Sequence, residues 1–143
     1  MNKYRLGYTT GVYDIFHIGH LNLISRARGL CDRLIVGVTT DELCLEVKGK
    51  SPVIPFRDRL EIVRAIKFVD DAVAQETMDK LDAWREYGFD TMIVGDDHKG
   101  EPFWNDLEAL FTPLGTDIIY LPYTKDISSS MLRKHLLTTD KAE

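Results

Sequence analysis

Apolar residues follow two patterns along this chain, short continuous runs and longer runs with helical spacing. The short runs are rich in β-branched residues, which is typical of strands buried on both faces of a sheet. They predict strands at 4–10, 33–39, 71–75, 91–95 and 117–122. The longer runs place apolar residues three or four positions apart, as Leu21, Ile24 and Ala27 show. They predict helices at 19–30, 56–67, 79–87, 103–112 and 128–137.

Strands that alternate with helices predict βαβ units and a parallel sheet. We therefore expect one α/β domain over residues 1–143, a Rossmann-like, doubly wound five-stranded parallel sheet with helices on both faces. Open sheets of this kind bind ligands beyond the carboxyl ends of their strands. The residues that follow each strand are therefore the first candidates for function.

Composition narrows the classes of protein further. The chain has 143 residues, 44% of them hydrophobic, which is enough for one packed core. No apolar run approaches the ~20 residues of a membrane-spanning helix, and the first residues do not resemble a signal peptide. We expect a cytoplasmic protein with Cys31 and Cys44 as reduced thiols. A net charge of −5 argues against a nucleic-acid partner, so positive charge for an anionic ligand must be local.

The turn between the first strand and the first helix carries two histidines, His17 and His20, with Gly19 beside the second. Free amides and the positive end of the dipole make a helix start favourable for phosphate. Glycine there lets the backbone approach a ligand closely, and histidines three apart point to one side. An imidazole donates hydrogen bonds and adds positive charge when protonated. The pattern favours a phosphate-handling turn, with a chance pair or half of a metal site as alternatives.

The sequence of this turn, "GVYDIFHIGH", resembles the HxGH nucleotidyltransferase superfamily and in particular its cytidylyltransferases. The likeness continues through "DRLIVGVTTDE" and "VKGKSPVIPFRDRLEIVRAIKFVDDAV". "VGDDHKG" is similar to the GDDW-type loop of the glycerol-3-phosphate cytidylyltransferases, and "DISSSMLRKHL" stands where the family has its closing motif, RTEGISTS. The resemblance implies catalytic roles for His17 and His20. It also implies nucleotide contacts from the turn itself, at Thr10, Gly11, Val12, Tyr13, Asp14 and Gly19.

Two lysines, Lys48 and Lys50, flank Gly49 in a predicted loop. A flexible loop with two ammonium groups could fold over a triphosphate and neutralise its charge, although exposed loops often carry lysine without such a role. The resemblance places Lys48 at the family's catalytic lysine and Lys50 beside the nucleotide. For Arg57 and Arg59 the alternative is a solvated helix face, and the resemblance favours Arg59 as a ligand contact.

Gly95, Asp96 and Asp97 end the fourth predicted strand. Carboxylates there could bind a base amino group, a sugar hydroxyl or Mg²⁺, and a polar turn with a capping aspartate is the alternative. The family loop that they match helps to shape the nucleotide pocket. It often has tryptophan where this chain has His98.

Three serines, Ser128, Ser129 and Ser130, precede the last amphipathic run. Hydroxyls and free amides at a helix start could grip the β- and γ-phosphates, and helix capping is the alternative. Upstream, Tyr123 and Asp126 replace an arginine and a glycine of the family motif. These departures weaken the expectation of CTP more than that of nucleotidyl transfer.

Together the residues and the resemblance predict an enzyme that transfers CMP from CTP to a small phosphorylated alcohol such as glycerol 3-phosphate. Pyrophosphate leaves by direct in-line displacement, and Mg²⁺ accompanies the nucleotide. An adenylyltransferase of the same fold, of the ADP-heptose or phosphopantetheine type, is the first alternative. A non-catalytic nucleotide-binding module is the second. The resemblance also implies a homodimer.

Overall fold

The structure, a computed structural model, describes residues 2–122 and 129–142, with side chains up to residue 137. The strands are β1 (Tyr4–Gly11), β2 (Cys31–Thr39), β3 (Asp71–Gln75), β4 (Thr91–Gly95) and β5 (Asp117–Leu121). The helices are α1 (Ile18–Leu30), α2 (Asp41–Lys48), α3 (Phe56–Arg64), α4 (Lys80–Tyr87), α5 (Pro102–Phe111) and α6 (Ser129–Ala142).

All neighbouring strands pair in parallel, in the order β3-β2-β1-β4-β5. This confirms the predicted Rossmann-like α/β sheet. The chain adds β2 and β3 on one side of β1 and then crosses to add β4 and β5 on the other. The switch point therefore lies between β1 and β4, where ligands of open parallel sheets bind.

Successive side chains of β2 point to opposite faces of the sheet, and both faces are buried. Leu34, Val36 and Val38 are buried in one cluster with residues of α1 and α3. Ile35, between them, is buried in a second cluster with Trp104 and other residues of α5. Each face thus buries its own apolar layer, which is why these strands read as continuous apolar runs. Among the described residues, no helix has the length and apolarity needed to cross a bilayer.

The boundaries differ from the predictions where the hydrogen bonding changes. The third helix ends at Arg64 rather than at position 67, because the amide of Ala65 is shared among the carbonyls of Glu61, Ile62 and Val63. After Ala65 the backbone hydrogen bonds run to carbonyls three residues back instead of four, and the chain leaves the α-helical path. β2 begins at Cys31, two residues earlier than predicted, through its pairing with Tyr4.

One helix, α2, was not predicted at all. The side chain of Thr40 accepts a hydrogen bond from the amide of Leu43 and caps its first turn. Its last residue is Lys48, and Gly49 ends it with φ 75°, a left-handed conformation that glycine adopts without strain. The prediction of a flexible lysine loop was therefore wrong for Lys48, which lies on a helix.

Candidate active site

The segment between β1 and α1, residues 12–20, is named here the histidine turn. Two of its residues, Tyr13 at φ 56° and Ile15 at φ 49°, have left-handed backbone conformations. A β-branched residue in this region is a genuine outlier, and such strain costs roughly 1–3 kcal/mol per residue. The surrounding structure must therefore hold the turn in place.

Asp14, between the two strained residues, provides that support. Its carboxylate accepts hydrogen bonds from the amides of Val53 at 2.8 Å and Ile54 at 2.9 Å, and from Arg133 Nη2 at 2.9 Å. Its carbonyl accepts a hydrogen bond from the Ser129 hydroxyl. Burial alone would raise the pKa of this carboxyl, but these donors outweigh burial and lower it. Asp14 is therefore ionised and ties the turn to two other segments.

The two histidines cap α1 reciprocally. Nδ1 of His17 accepts a hydrogen bond from the amide of Gly19 at 3.0 Å, and Nδ1 of His20 accepts one from the amide of His17 at 3.2 Å. This is a capping box in which imidazoles replace the usual hydroxyl and carboxylate. The two rings stack with their centroids 3.9 Å apart. The cap fixes both side chains in one orientation.

Both imidazoles are neutral near pH 7. Burial lowers the pKa of His17, and burial together with the neighbouring His17 ring lowers the pKa of His20 to about 4. Because Nδ1 of each ring accepts an amide hydrogen, the ring proton is on Nε2. The histidines therefore offer two fixed Nε2–H donors. The sequence left two roles open for the imidazoles, hydrogen-bond donation and added positive charge, and the structure favours hydrogen-bond donation.

Gly11 and Tyr13 shape the floor of the histidine turn. A Cβ atom at Gly11 would lie 2.9 Å from Cζ of Tyr13, so only glycine leaves room for this ring. The Tyr13 ring in turn meets the His20 ring edge-on, with centroids 5.3 Å apart. These residues position the imidazoles by packing.

The sequence predicted Arg59 as a ligand contact, and the structure places its side chain inside the protein, bound to protein groups. Its side chain is 0% exposed, and its guanidinium binds the segments around the site to one another. It donates to the carbonyls of Val12 and Thr39, both at 2.7 Å, to the carbonyl of Ile54 at 2.8 Å, and to Asp41 Oδ1 at 2.7 Å. The planar fork of arginine suits four acceptors at once. In this structure Arg59 supports the site from within.

The remaining predicted residues lie at the same edge of the sheet with different exposure. Lys48 and Lys50 are exposed, at and just beyond the end of α2. Gly95 is buried at the end of β4, and the exposed Asp96 and Asp97 begin a single 3-10 turn. In that turn Nδ1 of His98 lies 2.6 Å from Oε1 of Glu101.

At the start of α6 the predicted serines Ser129 and Ser130 differ in exposure and contacts. Ser129 is half-buried, and its hydroxyl bonds to the carbonyl of Asp14, while Ser130 is exposed. Ser128, Tyr123 and Asp126 lie outside the described residues. The hydroxyl of Ser129 therefore joins the last helix to the histidine turn in this structure.

Lys80, in the segment that follows β3, was not among the predicted site residues. It opens α4 after the cap Asp79, is 2% exposed, and places Nζ 3.2 Å from Oγ1 of Thr10. Burial lowers its pKa to about 8. The strand-end rule, applied to "ETMDK", was the signal available in the sequence.

Comparisons with known proteins show the family and the fold of this chain. A family model described as cytidylyltransferase-like matches residues 8–135. A glycerol-3-phosphate cytidylyltransferase of Bacillus spizizenii is 33% identical over 90% of this chain and 94% of its own. An FAD synthase of Pyrococcus abyssi is 35% identical over 79% of this chain and 77% of its own. The crystal structure of a lipopolysaccharide core biosynthesis protein from Thermoplasma volcanium, 27% identical, superimposes with a TM-score of 0.71 over 87% of this chain and 99% of that one.

Proposed function

The chain belongs to the cytidylyltransferase-like family, and we propose that it transfers CMP from CTP to a small phosphorylated alcohol such as glycerol 3-phosphate. One observation carries the proposal: the two fixed Nε2–H donors of His17 and His20 stand at a helix start, at the carboxyl end of β1. Similarity to a glycerol-3-phosphate cytidylyltransferase over nearly the whole chain supports this acceptor class.

In the proposed reaction, an oxygen of the acceptor's phosphate forms a bond to the α-phosphorus of the nucleotide. The bond from that phosphorus to the bridging oxygen breaks, and pyrophosphate leaves with the electron pair, so no redox partner is needed. His17 and His20 donate hydrogen bonds to the charge that develops on the α-phosphate oxygens. Donors fixed in advance stabilise such charge without reorganising, and the capping box supplies that fixation.

Residues outside the histidine turn have supporting roles in this proposal. We propose that Lys48 and Lys50 approach the triphosphate from the exposed end of α2 and that Gly95, Asp96 and Asp97 border the nucleotide. Among the described residues, no three or more His, Cys, Asp or Glu side chains group together as metal ligands would. We therefore propose that Mg²⁺ is carried by the phosphates, where it would screen their charge.

The test is a matrix of CTP and ATP against phosphate monoesters, with pyrophosphate release as the readout. The panel holds glycerol 3-phosphate, phosphoethanolamine, a sugar phosphate and flavin mononucleotide. We expect release with CTP and glycerol 3-phosphate. Release with ATP alone would overturn the choice of nucleotide and support an adenylyltransferase, which similarity to an FAD synthase favours as the second candidate. Triphosphate binding without release from any pair would support a non-catalytic module.

We also propose that the chain forms a homodimer, as the family resemblance implies. Sedimentation equilibrium at micromolar concentration should give twice the chain mass. A single species of 16.4 kDa would contradict the dimer.

A further inference from the structure

A cavity of about 420 Å³ lies beside the edge strand β3, between its last residues and α4. This volume is within the usual range for a small-molecule site. Among the described residues that line the cavity, none belongs to the histidine turn. We name it the tyrosine groove and define it by the side chains of Tyr8, Glu76, Asp79, Asp82, Glu86 and Tyr87.

Tyr8 brings a buried hydroxyl to this groove. Tyr8 is 2% exposed, and its ring stacks on that of Tyr87, with centroids 5.9 Å apart. A Cβ atom at Gly37 would lie 2.6 Å from the Tyr8 hydroxyl oxygen, so the missing side chain lets the tyrosine extend over β2 toward β3. Within the described part of the chain, this hydroxyl has no hydrogen-bond partner. A buried hydroxyl without a partner costs free energy, which a ligand can recover.

The charge around the groove is negative. Four carboxylates line it, and no lysine or arginine is among the described lining residues. Arg85 pairs with Asp82 at 3.0 Å, but both side chains are more than half exposed, so the pair contributes little. The groove therefore favours a cation over an anion or a neutral ligand.

Glu86 acts on both tyrosine hydroxyls. Burial is the first cause that raises the pKa of Tyr8, followed by the neighbouring Tyr87 and Glu86. Burial also comes first for the raised pKa of Tyr87, followed by Glu86. Both hydroxyls are therefore neutral near pH 7. A neutral hydroxyl oxygen accepts a hydrogen bond from an ammonium group, and the face of a tyrosine ring attracts the same cation.

The spacing of the carboxylates indicates the shape of the cation. Asp82 and Glu86 are one helical turn apart on α4, about 6 Å along its axis. Among the described residues, no three His, Cys, Asp or Glu side chains converge as the ligands of one metal ion would. Carboxylates in a row match a flexible chain that carries several ammonium groups, because each group can meet a carboxylate of its own.

We propose that the tyrosine groove binds a linear di- or polyamine, with its ammonium groups at Asp82 and Glu86 and the Tyr8 hydroxyl as a further acceptor. The proposal goes beyond nucleotidyl transfer and does not depend on it. Its tests measure binding to the whole chain, so they are decisive whether or not the protein releases pyrophosphate.

The first test is calorimetric titration with spermidine at low salt. We expect saturable binding to one site per chain, at least tenfold tighter than the binding of Mg²⁺, and weaker binding at higher salt. Butane-1,4-diol, which has hydroxyls in place of ammonium groups, should not bind. The absence of saturable spermidine binding, or equal affinities for spermidine and Mg²⁺, would overturn the proposal.

Two variants test the residues of the groove. Tyr8→Phe keeps the ring and removes the hydroxyl, and Glu86→Gln removes one exposed charge. Each should weaken spermidine binding about 3- to 10-fold without a change in circular dichroism. Glu61→Gln is the matched control, because it removes the same charge from α3, which packs on the other face of the sheet. An equal loss in Glu61→Gln and Glu86→Gln would mean that spermidine follows net charge alone, which would contradict the site.

Nuclear magnetic resonance locates the bound amine independently of affinity. On titration with spermidine, the ring resonances of Tyr8 and Tyr87 should shift. Those of Tyr4, which bonds to Asp117 near the opposite end of the sheet, should stay within experimental error. Shifts at Tyr4 with none at Tyr8 and Tyr87 would place the amine elsewhere and overturn the assignment.

Discussion

Two polar regions lie on the carboxyl edge of the sheet, and they present hydrogen-bond donors by different means. The histidine turn uses neutral donors that a cap formed within the turn itself orients. A second group, the lysine cluster of Thr10, Thr39, Gln75 and Lys80, uses the ammonium charge of Lys80, which the Thr10 and Gln75 side chains contact. In the proposed function, the first stabilises charge that develops during the reaction, whereas a buried ammonium such as that of Lys80 would suit a ligand that arrives charged. The difference shows why a short motif identifies one region and not the other.

The largest expected effect comes from removing Arg59, which both regions share. It binds the carbonyl of Val12 in the histidine turn and that of Thr39 in the lysine cluster. Arg59→Met leaves these carbonyls without the guanidinium donor and Asp41 without its ion-pair partner, so the free energy of unfolding should fall by about 3–5 kcal/mol in urea titrations. Arg57→Met, at an 89% exposed side chain, should change it by less than about 0.5 kcal/mol. Equal stabilities for the two variants would contradict the conclusion that Arg59 supports both regions.

A substitution at His17 separates the chemistry of the histidine turn from its fold. Asparagine can accept the Gly19 amide as a cap but lacks the imidazole Nε2–H. His17→Asn should lower kcat about 10²- to 10³-fold, as for the loss of a fixed donor to developing charge. The control His98→Asn alters a half-exposed imidazole and should keep kcat within about threefold. Near wild-type turnover in His17→Asn would contradict the assigned role.

Replacing Asp14 tests whether the strained turn depends on one carboxylate. Asp14→Asn keeps the shape but weakens the bonds to two amides and to Arg133. The free energy of unfolding should fall by about 1.5–3 kcal/mol at pH 7. Because the pKa of Asp14 is lowered in the folded state, its contribution is present above about pH 4 and is lost as pH falls through the folded pKa.

The difference between wild-type and Asp14→Asn protein should therefore shrink at acidic pH, as measured by urea unfolding at pH 7 and pH 3. Asp106→Asn, an exposed position on α5, should show neither the loss nor its pH dependence. A constant difference at both pH values would contradict an ionised Asp14 as the support of the turn.

The smallest expected effect is the response of His20 to acid. Its folded pKa of about 4 lies below the usual 6.5, so the unfolded chain takes up the proton first as pH falls. Stability should be unaffected above about pH 6.5 and should decline by about 1–2 kcal/mol between pH 6.5 and pH 4, with allowance for partial exposure. Proton NMR of the His20 ring should give a midpoint near 4. A midpoint near 6.5 would mean that the donor is charged during part of its working range.

The histidine turn and the sheet were predictable because their signals are local. Burial on both faces gives apolar strands, and β3 and β4 were predicted with their observed boundaries, Asp71–Gln75 and Thr91–Gly95. The spacing of His17 and His20 at a helix start also lies within one short segment. By contrast, α2 was missed because lysine and glycine near position 49 resemble a loop, although Thr40 and Gly49 cap a helix there.

By itself, the sequence determined the α/β class, the two-sided sheet and the position of two histidines at its ligand-binding edge. Only the tertiary structure decided the charge and partners of the side chains at that edge. It buried Arg59 as a support, kept both imidazoles neutral and placed the Lys80 ammonium against two neutral side-chain oxygens. The physical reason is that solvation and pairing depend on groups far apart in the chain, such as Thr10 and Lys80, which meet only when the parallel strands align.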